Sequence, residues 1–296
     1  MNVVGSFEAV RKLTHGRVAL VPTMGYLHEG HVSIIETAAI QTDSVVVSIF
    51  VNPLQFGTPL DLETYPSDLD RDVDIAARAG ADVIFAPSIS VMYPVEPSTM
   101  VHVPGVSEAM EGVSRPGHFD GVATVVAKLF SGVQPDVAFF GRKDAQQLAV
   151  VTTMARDLSM PVEVIGVPTV READGLALST RNTRLDERSR AAASRISGAL
   201  FTAGGLFADA ERSSSALKAS VRSLLDIEPE IALDYVEVAD VAASRPIGTV
   251  EYDAFLAVAA RIGGVRLIDN VFLDGRTGTV DTGTKLDRPS ILYGGR

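Results

Sequence analysis

Short apolar runs and helically spaced apolar positions take turns along the N-terminal part of this chain. The run 18–21 is bounded by Pro22 and Gly25, and Val32, Ile34, Ile35 and Ala38 follow at the spacing of one helix face. The same pattern predicts strands at 45–51, 83–85, 137–140 and 162–167, and helices at 70–79, 122–130 and 145–158. Strand and helix in alternation imply an α/β fold with a doubly wound parallel sheet. Beyond residue 182 the rhythm changes: 185–206 and 216–225 read as amphipathic helices, and 232–238, 254–260 and 265–268 read as strands. A smaller α+β second domain is therefore expected, with turn or flexible segments at Gly204-Gly205, 213–215 and Gly263-Gly264 and a loosely structured tail from Thr277 on.

Composition narrows the class. A chain of 296 residues, 46% apolar, can bury a sizeable core and has room for one large or two modest domains. Cysteine is absent, and no apolar run approaches the length of a membrane span or reads as a secretory leader, so a cytoplasmic protein with no membrane partner is expected. The balance of 26 basic against 37 acidic side chains, a net charge of −11, argues against nucleic acid, whose binding rests on phosphate neutralisation. An anionic substrate would need cations gathered locally.

Doubly wound sheets bind ligands beyond the carboxyl ends of their strands, so the segments that follow strands are where chemistry is expected. Four carry unusual polar residues: His28-Glu-Gly-His31; Asn52-Pro-Leu-Gln55-Phe-Gly; Gly141-Arg-Lys143-Asp144; and Ser179-Thr-Arg181-Asn182. His28 and His31 fall at a predicted helix N-terminus, where unpaired backbone N–H groups and the helix dipole favour phosphate and imidazole can donate to phosphoryl oxygens. The pair can also be merely solvated, or hold a metal. A zinc site would want further ligands, yet there is no Cys, and the other histidines, His15, His102 and His118, are scattered. Neither a Walker loop nor a G-x-G-x-x-G motif is present, so phosphate binding would rest on His and backbone, with a Lys supplied from elsewhere. Asp68, Asp70, Asp72 and Asp74 crowd one helix start, where acidic residues are favoured by the dipole alone.

Taken in order, Pro22-Thr-Met-Gly25, His28-Glu-Gly-His31, Phe50-Val-Asn-Pro-Leu-Gln55-Phe-Gly57, Tyr65-Pro66 with Asp72, Arg115-Pro-Gly-His-Phe-Asp-Gly121, Gly141-Arg-Lys-Asp-Ala-Gln-Gln147 and Ser179-Thr-Arg-Asn182 resemble the pantothenate synthetase family, the AMP-forming pantoate:β-alanine ligases. The resemblance runs through the N-terminal two thirds. It implies a Rossmann-like ATP- and pantoate-binding domain of nucleotidylyltransferase type over 1–174, a C-terminal lid domain over 175–296, and a homodimer. It also implies a reaction in which pantoate is activated by MgATP as an enzyme-bound pantoyl-adenylate, from which β-alanine displaces AMP. By the same resemblance His28, His31, Lys143 and Arg181 are catalytic. Met24, Gly25, His28, His31, Gly141, Lys143, Asp144, Val170, Leu178, Ser179, Thr180 and Arg181 meet ATP. Gln55, Gln147 and Asn52 meet pantoate or β-alanine, and Asp72 meets Mg2+. Thr180 stands where serine is usual and keeps the hydroxyl. Arg142 stands where many relatives carry an acidic residue, and would make the phosphate end more cationic if it points inward. Segments 55–66 and 113–117, rich in Gly, Pro and polar residues, read as covers over the site. A nucleotidylyltransferase would share the histidine pair but has no need of Gln55 and Gln147, while a non-catalytic nucleotide-binding module would not be expected to keep His28, His31, Lys143 and Arg181 together.

Overall fold

A computed structural model of the chain describes residues 1–57 and 59–293, and divides it into two compact units. The first comprises Met1–Ser107, Arg115–Gly141 and Val150–Val167; the second comprises Glu108–Ser114, Arg142–Ala149 and Pro168–Arg296.

The first unit is built on six strands: β1 (Asn2–Val4), β2 (Val18–Thr23), β3 (Ser44–Ile49), β4 (Val83–Phe85), β5 (Val137–Gly141) and β6 (Glu163–Val167). They lie in the order β1-β4-β3-β2-β5-β6, every pair parallel. The middle strands are near-continuous apolar runs because a parallel sheet is buried on both faces; Leu20, Val46 and Phe139 have no exposed surface. From β2 the chain steps outward through β3 and β4 on one side, while β5 and β6 take the other. The topological switch therefore lies between β2 and β5, and the carboxyl ends Thr23 and Gly141 border it. The strand expected at 45–51 stops at Ile49, and the helix expected at 122–130 is the longer His118–Val133. Strand β1 and helix Phe7–Leu13 were not expected, since three exposed or half-exposed strand residues leave no periodic signal.

The second unit holds the expected smaller α+β fold: an antiparallel sheet of β8 (Ile231–Asp240), β9 (Ala254–Ile262), β10 (Val265–Leu273) and β11 (Val280–Asp281), ordered β11-β10-β9-β8. Helices Glu187–Ala208 and Ser214–Leu225 supply Leu200, Phe207, Leu217 and Val221 to a core shared with Leu256 and Val258 of β9. Gly263 and Gly264, at φ 54° and 78°, make the two-residue turn between β9 and β10, a backbone that only glycine enters without strain.

Two expectations give way. Gly204-Gly205 is not a break but part of the helix Glu187–Ala208, whose buried residues Ala199, Leu200, Ala203 and Phe207 anchor both sides of it. Packing outweighs the glycine cost of about 1 kcal/mol each. Nor is the tail from Thr277 loose: it forms β11, then β12 (Thr284–Lys285) paired in parallel with β7 (Val170–Arg171), then a turn at Ile291–Tyr293. Its last residues, 294–296, lie outside the described part. Two-residue strands held by distant backbone carry no hydropathy pattern to read. Among the described residues no helix is long and apolar enough to cross a membrane.

Candidate active site

In the first unit, β2 ends at Thr23 and the chain turns through Gly25 (φ 87°) and Tyr26 (φ 53°) before helix Glu29–Gln41 begins. Two consecutive left-handed residues point the next backbone N–H groups inward, and Asp72 receives them. Its carboxylate oxygens accept from Tyr26 N at 2.6 Å and Leu27 N at 2.7 Å. A side chain at position 25 would put Cβ 2.9 Å from that carboxylate, so the turn requires glycine twice over.

The helix start is capped by imidazoles. His28 Nδ1 accepts from Gly30 N at 3.2 Å, and His31 Nδ1 accepts from the His28 N–H at 3.2 Å, a reciprocal capping box with histidine at both positions. A ring nitrogen that accepts cannot carry the proton, so each neutral ring carries it on Nε2. The two rings lie 4.2 Å apart, and His28 is 7% exposed. A Cβ on Gly30 would fall 2.9 Å from the His28 ring, so this glycine gives the ring its place.

Asp72 was expected to meet magnesium. Its side chain is 1% exposed, both oxygens accept turn N–H groups, and Arg71 Nη1 lies 3.4 Å from Oδ1. Burial pushes its carboxyl above the ordinary aspartate range, with the Leu27 and Tyr26 N–H groups and Arg71 pulling it back. Among the described residues no group of three or more His, Asp or Glu could hold a metal ion. These side chains do not fit a protein-built magnesium site; Asp72 braces the histidine turn instead. Asp68 caps helix Leu69–Arg78 by accepting from Arg71 N.

Gln55 ends the short turn Pro53–Gln55, capped by Asn52. Asn52 is 1% exposed and saturated: Nδ2 donates to Gly121 O (3.0 Å) and Gln55 Oε1 (3.2 Å), while Oδ1 accepts from Tyr93 Oη (2.8 Å) and Leu54 N (3.3 Å). With its oxygen accepting from Asn52, the Gln55 amide keeps Nε2 as its donor end, which donates to Met24 Sδ at 2.9 Å and has a second N–H. The main-chain oxygen of Gln55 accepts from His118 Nδ1 at 2.9 Å and Arg115 Nη2 at 3.4 Å, and Arg115 Nη1 stands 2.9 Å from His118 Nε2. A guanidinium only donates and a carbonyl only accepts, so in these two contacts His118 donates from Nδ1 and accepts at Nε2, the reverse of the roles that Nδ1 takes in the other two rings. Helix His118–Val133 approaches this turn at Gly121, where any Cβ would sit 2.3 Å from Leu54 O. Of the expected cover segments, 55–66 includes Thr58, which lies outside the described residues.

In the second unit, Arg142–Asp144 forms a tight turn whose Arg142 and Lys143 carbonyls both accept from Asn270 Nδ2, at 3.0 and 2.7 Å. Lys143 is half-buried, 3.3 Å from Asp144. Arg142 pairs with Asp281 at 2.9 Å and covers the Phe272 ring, contacts that engage its guanidinium within the second unit. The neighbouring glutamines part company. Gln146 is buried and holds the 109–111 segment through Glu111 N and Ala109 O, whereas Gln147 is half-buried with no hydrogen-bond partner among the described residues. Val170 and Leu178 are buried together, Leu178 N donating to Val170 O at 3.0 Å, which brings the 179–181 turn beside β7. Ser179 caps that turn by accepting from Arg181 N. Thr180 is buried, and the half-buried Arg181 makes no ion pair among the described residues.

Pattern reading missed the braces. Arg171, with no exposed surface, donates to Asp269 (2.6 Å), Gly175 O (3.1 Å), Asn270 O (2.9 Å) and Thr282 O, and so joins the strand before the 179–181 turn to the residue that holds the Lys143 turn. A charged pair inside β7 and β10, where apolar residues are the rule, was the available signal.

The family model described as pantoate-beta-alanine ligase matches residues 2–272. The chain is 49% identical over 276 residues to the pantothenate synthetase of Heliobacterium modesticaldum, covering 90% of this chain and 98% of that protein. It is 50% identical over 256 residues to that of Pelotomaculum thermopropionicum, covering 86% and 91%. Among solved structures, the pantothenate synthetase of Thermus thermophilus superposes with a TM-score of 0.87 at 44% identity, over 91% of this chain and 98% of that one. The pantoate-beta-alanine ligase of Francisella tularensis, complexed with beta-gamma ATP and beta-alanine, gives 0.74 at 33%, over 91% and 97%.

Proposed function

This chain belongs to the pantoate-beta-alanine ligase family and is a ligase, and on that premise we propose that it condenses (R)-pantoate with β-alanine, driven by ATP, through an enzyme-bound pantoyl-adenylate. In the first step a pantoate carboxylate oxygen bonds to the α-phosphorus of ATP and the bridge to the β-phosphate breaks, releasing pyrophosphate. In the second the amine of β-alanine, having lost a proton, bonds to the acyl carbon, and AMP leaves with the former carboxylate oxygen.

Such displacements ask the protein to position reactants and stabilise spreading negative charge, with no covalent enzyme intermediate. The observation that carries the reading is the pair of backbone N–H groups accepted by the Nδ1 atoms of His28 and His31. With both Nδ1 atoms accepting backbone N–H, the two rings present Nε2–H donors at a helix N-terminus beside the switch between β2 and β5. His28 and His31 donate to phosphate oxygens without first gaining a proton. Lys143 and Arg181 add cationic charge to the phosphates, with Met24, Gly25, Gly141, Asp144, Val170, Leu178, Ser179 and Thr180 completing the nucleotide contacts. Gln55 offers an amide N–H donor to pantoate, and Gln147 an amide free to turn either way. Asn52 acts on substrate through Gln55, since its own amide is saturated. Magnesium would be held by the ATP phosphates and would help neutralise their charge, since among the described residues no group of three or more His, Asp or Glu could cage it.

The test is release of pyrophosphate and AMP from MgATP and pantoate, with and without β-alanine. AMP release that requires β-alanine, alongside stoichiometric pyrophosphate without it, supports the ligase; adenylyl transfer to a phosphorylated metabolite would replace it with a nucleotidylyltransferase. Gln147→Leu will raise the pantoate KM about tenfold, the worth of one hydrogen bond in a shielded site, with the ATP KM unchanged. Equal changes in both would remove Gln147 from the pantoate side.

A further inference from the structure

The family model ends at residue 272, yet the chain beyond it returns to the segment proposed to meet the nucleotide. Strand β12 lies parallel to β7, with Thr284 N donating to Thr169 O and Leu286 N to Arg171 O, both at 2.8 Å. The approach is close: Gly283, at φ 78°, passes so near that a Cβ there would sit 2.2 Å from Thr169 O. Farther on, the turn Ile291–Tyr293 packs against the turn Thr180–Arg184. Tyr293 Oη donates to Glu172 Oε1 at 2.8 Å, and the same oxygen accepts from Asn182 Nδ2 at 3.3 Å. Glu172 Oε2 is held by Arg190 at 2.6 Å. Asn182, 1% exposed, directly follows Arg181 and also donates to Ala177 O at 3.0 Å.

We propose that the tail 280–293 is a strap that positions the 179–181 turn for ATP, with Tyr293 as its positioning residue acting through Glu172 and Asn182. The inference rests on the nucleotide role proposed above for Ser179, Thr180 and Arg181. Without the strap β7 loses its partner strand, and Asn182 is left on a carboxylate whose other side-chain tie among the described residues is Arg190. The turn then samples other conformations, and the ordering of Arg181 must be supplied on each ATP binding event. A tail with a merely stabilising role would change melting temperature and all kinetic constants together.

Tyr293→Phe removes one hydroxyl and keeps the ring. Gly283→Ala dislodges β12 by placing a methyl against the Thr169 carbonyl. For each, the KM for ATP, the KM for pantoate and the melting temperature are measured, together with calorimetric binding of ATP alone. The strap predicts an ATP KM and Kd raised about fivefold in Tyr293→Phe and more in Gly283→Ala, with the pantoate KM unchanged. Unchanged ATP affinity in both variants overturns it, as does a parallel rise of both KM values tracking a fall in melting temperature. Calorimetry needs no turnover, so a wild-type chain that releases no pyrophosphate from ATP and pantoate would contradict the ligase reading and still leave the strap to be judged by ATP affinity.

Discussion

Asp72→Ala will disable the histidine turn and cost the fold about 2–5 kcal/mol, because the N–H groups of Tyr26 and Leu27 lose their acceptor in a place water reaches poorly. Leu27 has no exposed surface, and among the described residues Asp72 is the one hydrogen-bond acceptor of its N–H. Pyrophosphate release should fall at least about tenfold, since the next residue along is His28, whose ring is held by the same turn. Asparagine is the discriminating variant. It offers one accepting oxygen and turns an NH2 toward the second N–H, donor against donor, so Asn should recover less than half of the lost stability. A magnesium ligand would behave differently: Asp72→Asn would leave the melting temperature alone and change only the magnesium dependence of the rate. Thermal melts of the three proteins alongside a magnesium titration separate the two.

Gly121→Ala sets two effects against each other. Alanine is the better helix former by about 1 kcal/mol, and position 121 lies inside helix His118–Val133. The added Cβ, however, would stand 2.3 Å from Leu54 O, 2.5 Å from Leu54 C and 2.7 Å from Gln55 N, all backbone atoms that cannot swing aside. Overpacking of this kind costs about 3 kcal/mol, so the overlap wins and the protein should melt several degrees lower. The displaced atoms belong to the turn that aims Gln55, and Gly121 O is also an anchor of Asn52. The pantoate KM should rise more than about tenfold, with ATP binding close to wild type. A melting temperature at or above wild type would mean that the turn relaxes freely and that the brace around Gln55 is slack.

How far the sequence speaks for itself differs between the two units. Runs such as 18–21 and 137–140 are buried on both faces of a parallel sheet, so periodicity alone located them, and the alternation with helices led to the doubly wound architecture. The paired histidines were legible because their position depends on local signals, an apolar strand, a glycine turn and a helix start. Their tautomers were not, since these depend on which ring nitrogen meets a backbone N–H. Asp72 was legible as an acidic residue at a helix start but not as the acceptor for a turn 45 residues earlier. The same limit hid His118 on Gln55, Asn270 on Lys143 and Arg171 on Asp269, each a polar contact between segments far apart in sequence. Gly204-Gly205 misled because composition was weighed without the buried neighbours that hold the helix through it, and the tail misled because its strands are two residues long.

The central claim is that pantoate is activated at its carboxylate by the α-phosphate of ATP. The most direct measurement uses pantoate labelled with oxygen-18 in the carboxylate, turned over with MgATP and β-alanine, and follows the label by mass spectrometry. Attack by the carboxylate on the α-phosphorus predicts one labelled oxygen in each AMP released and none in pyrophosphate. Label in inorganic phosphate with ADP as the co-product, or AMP free of label, would contradict the account.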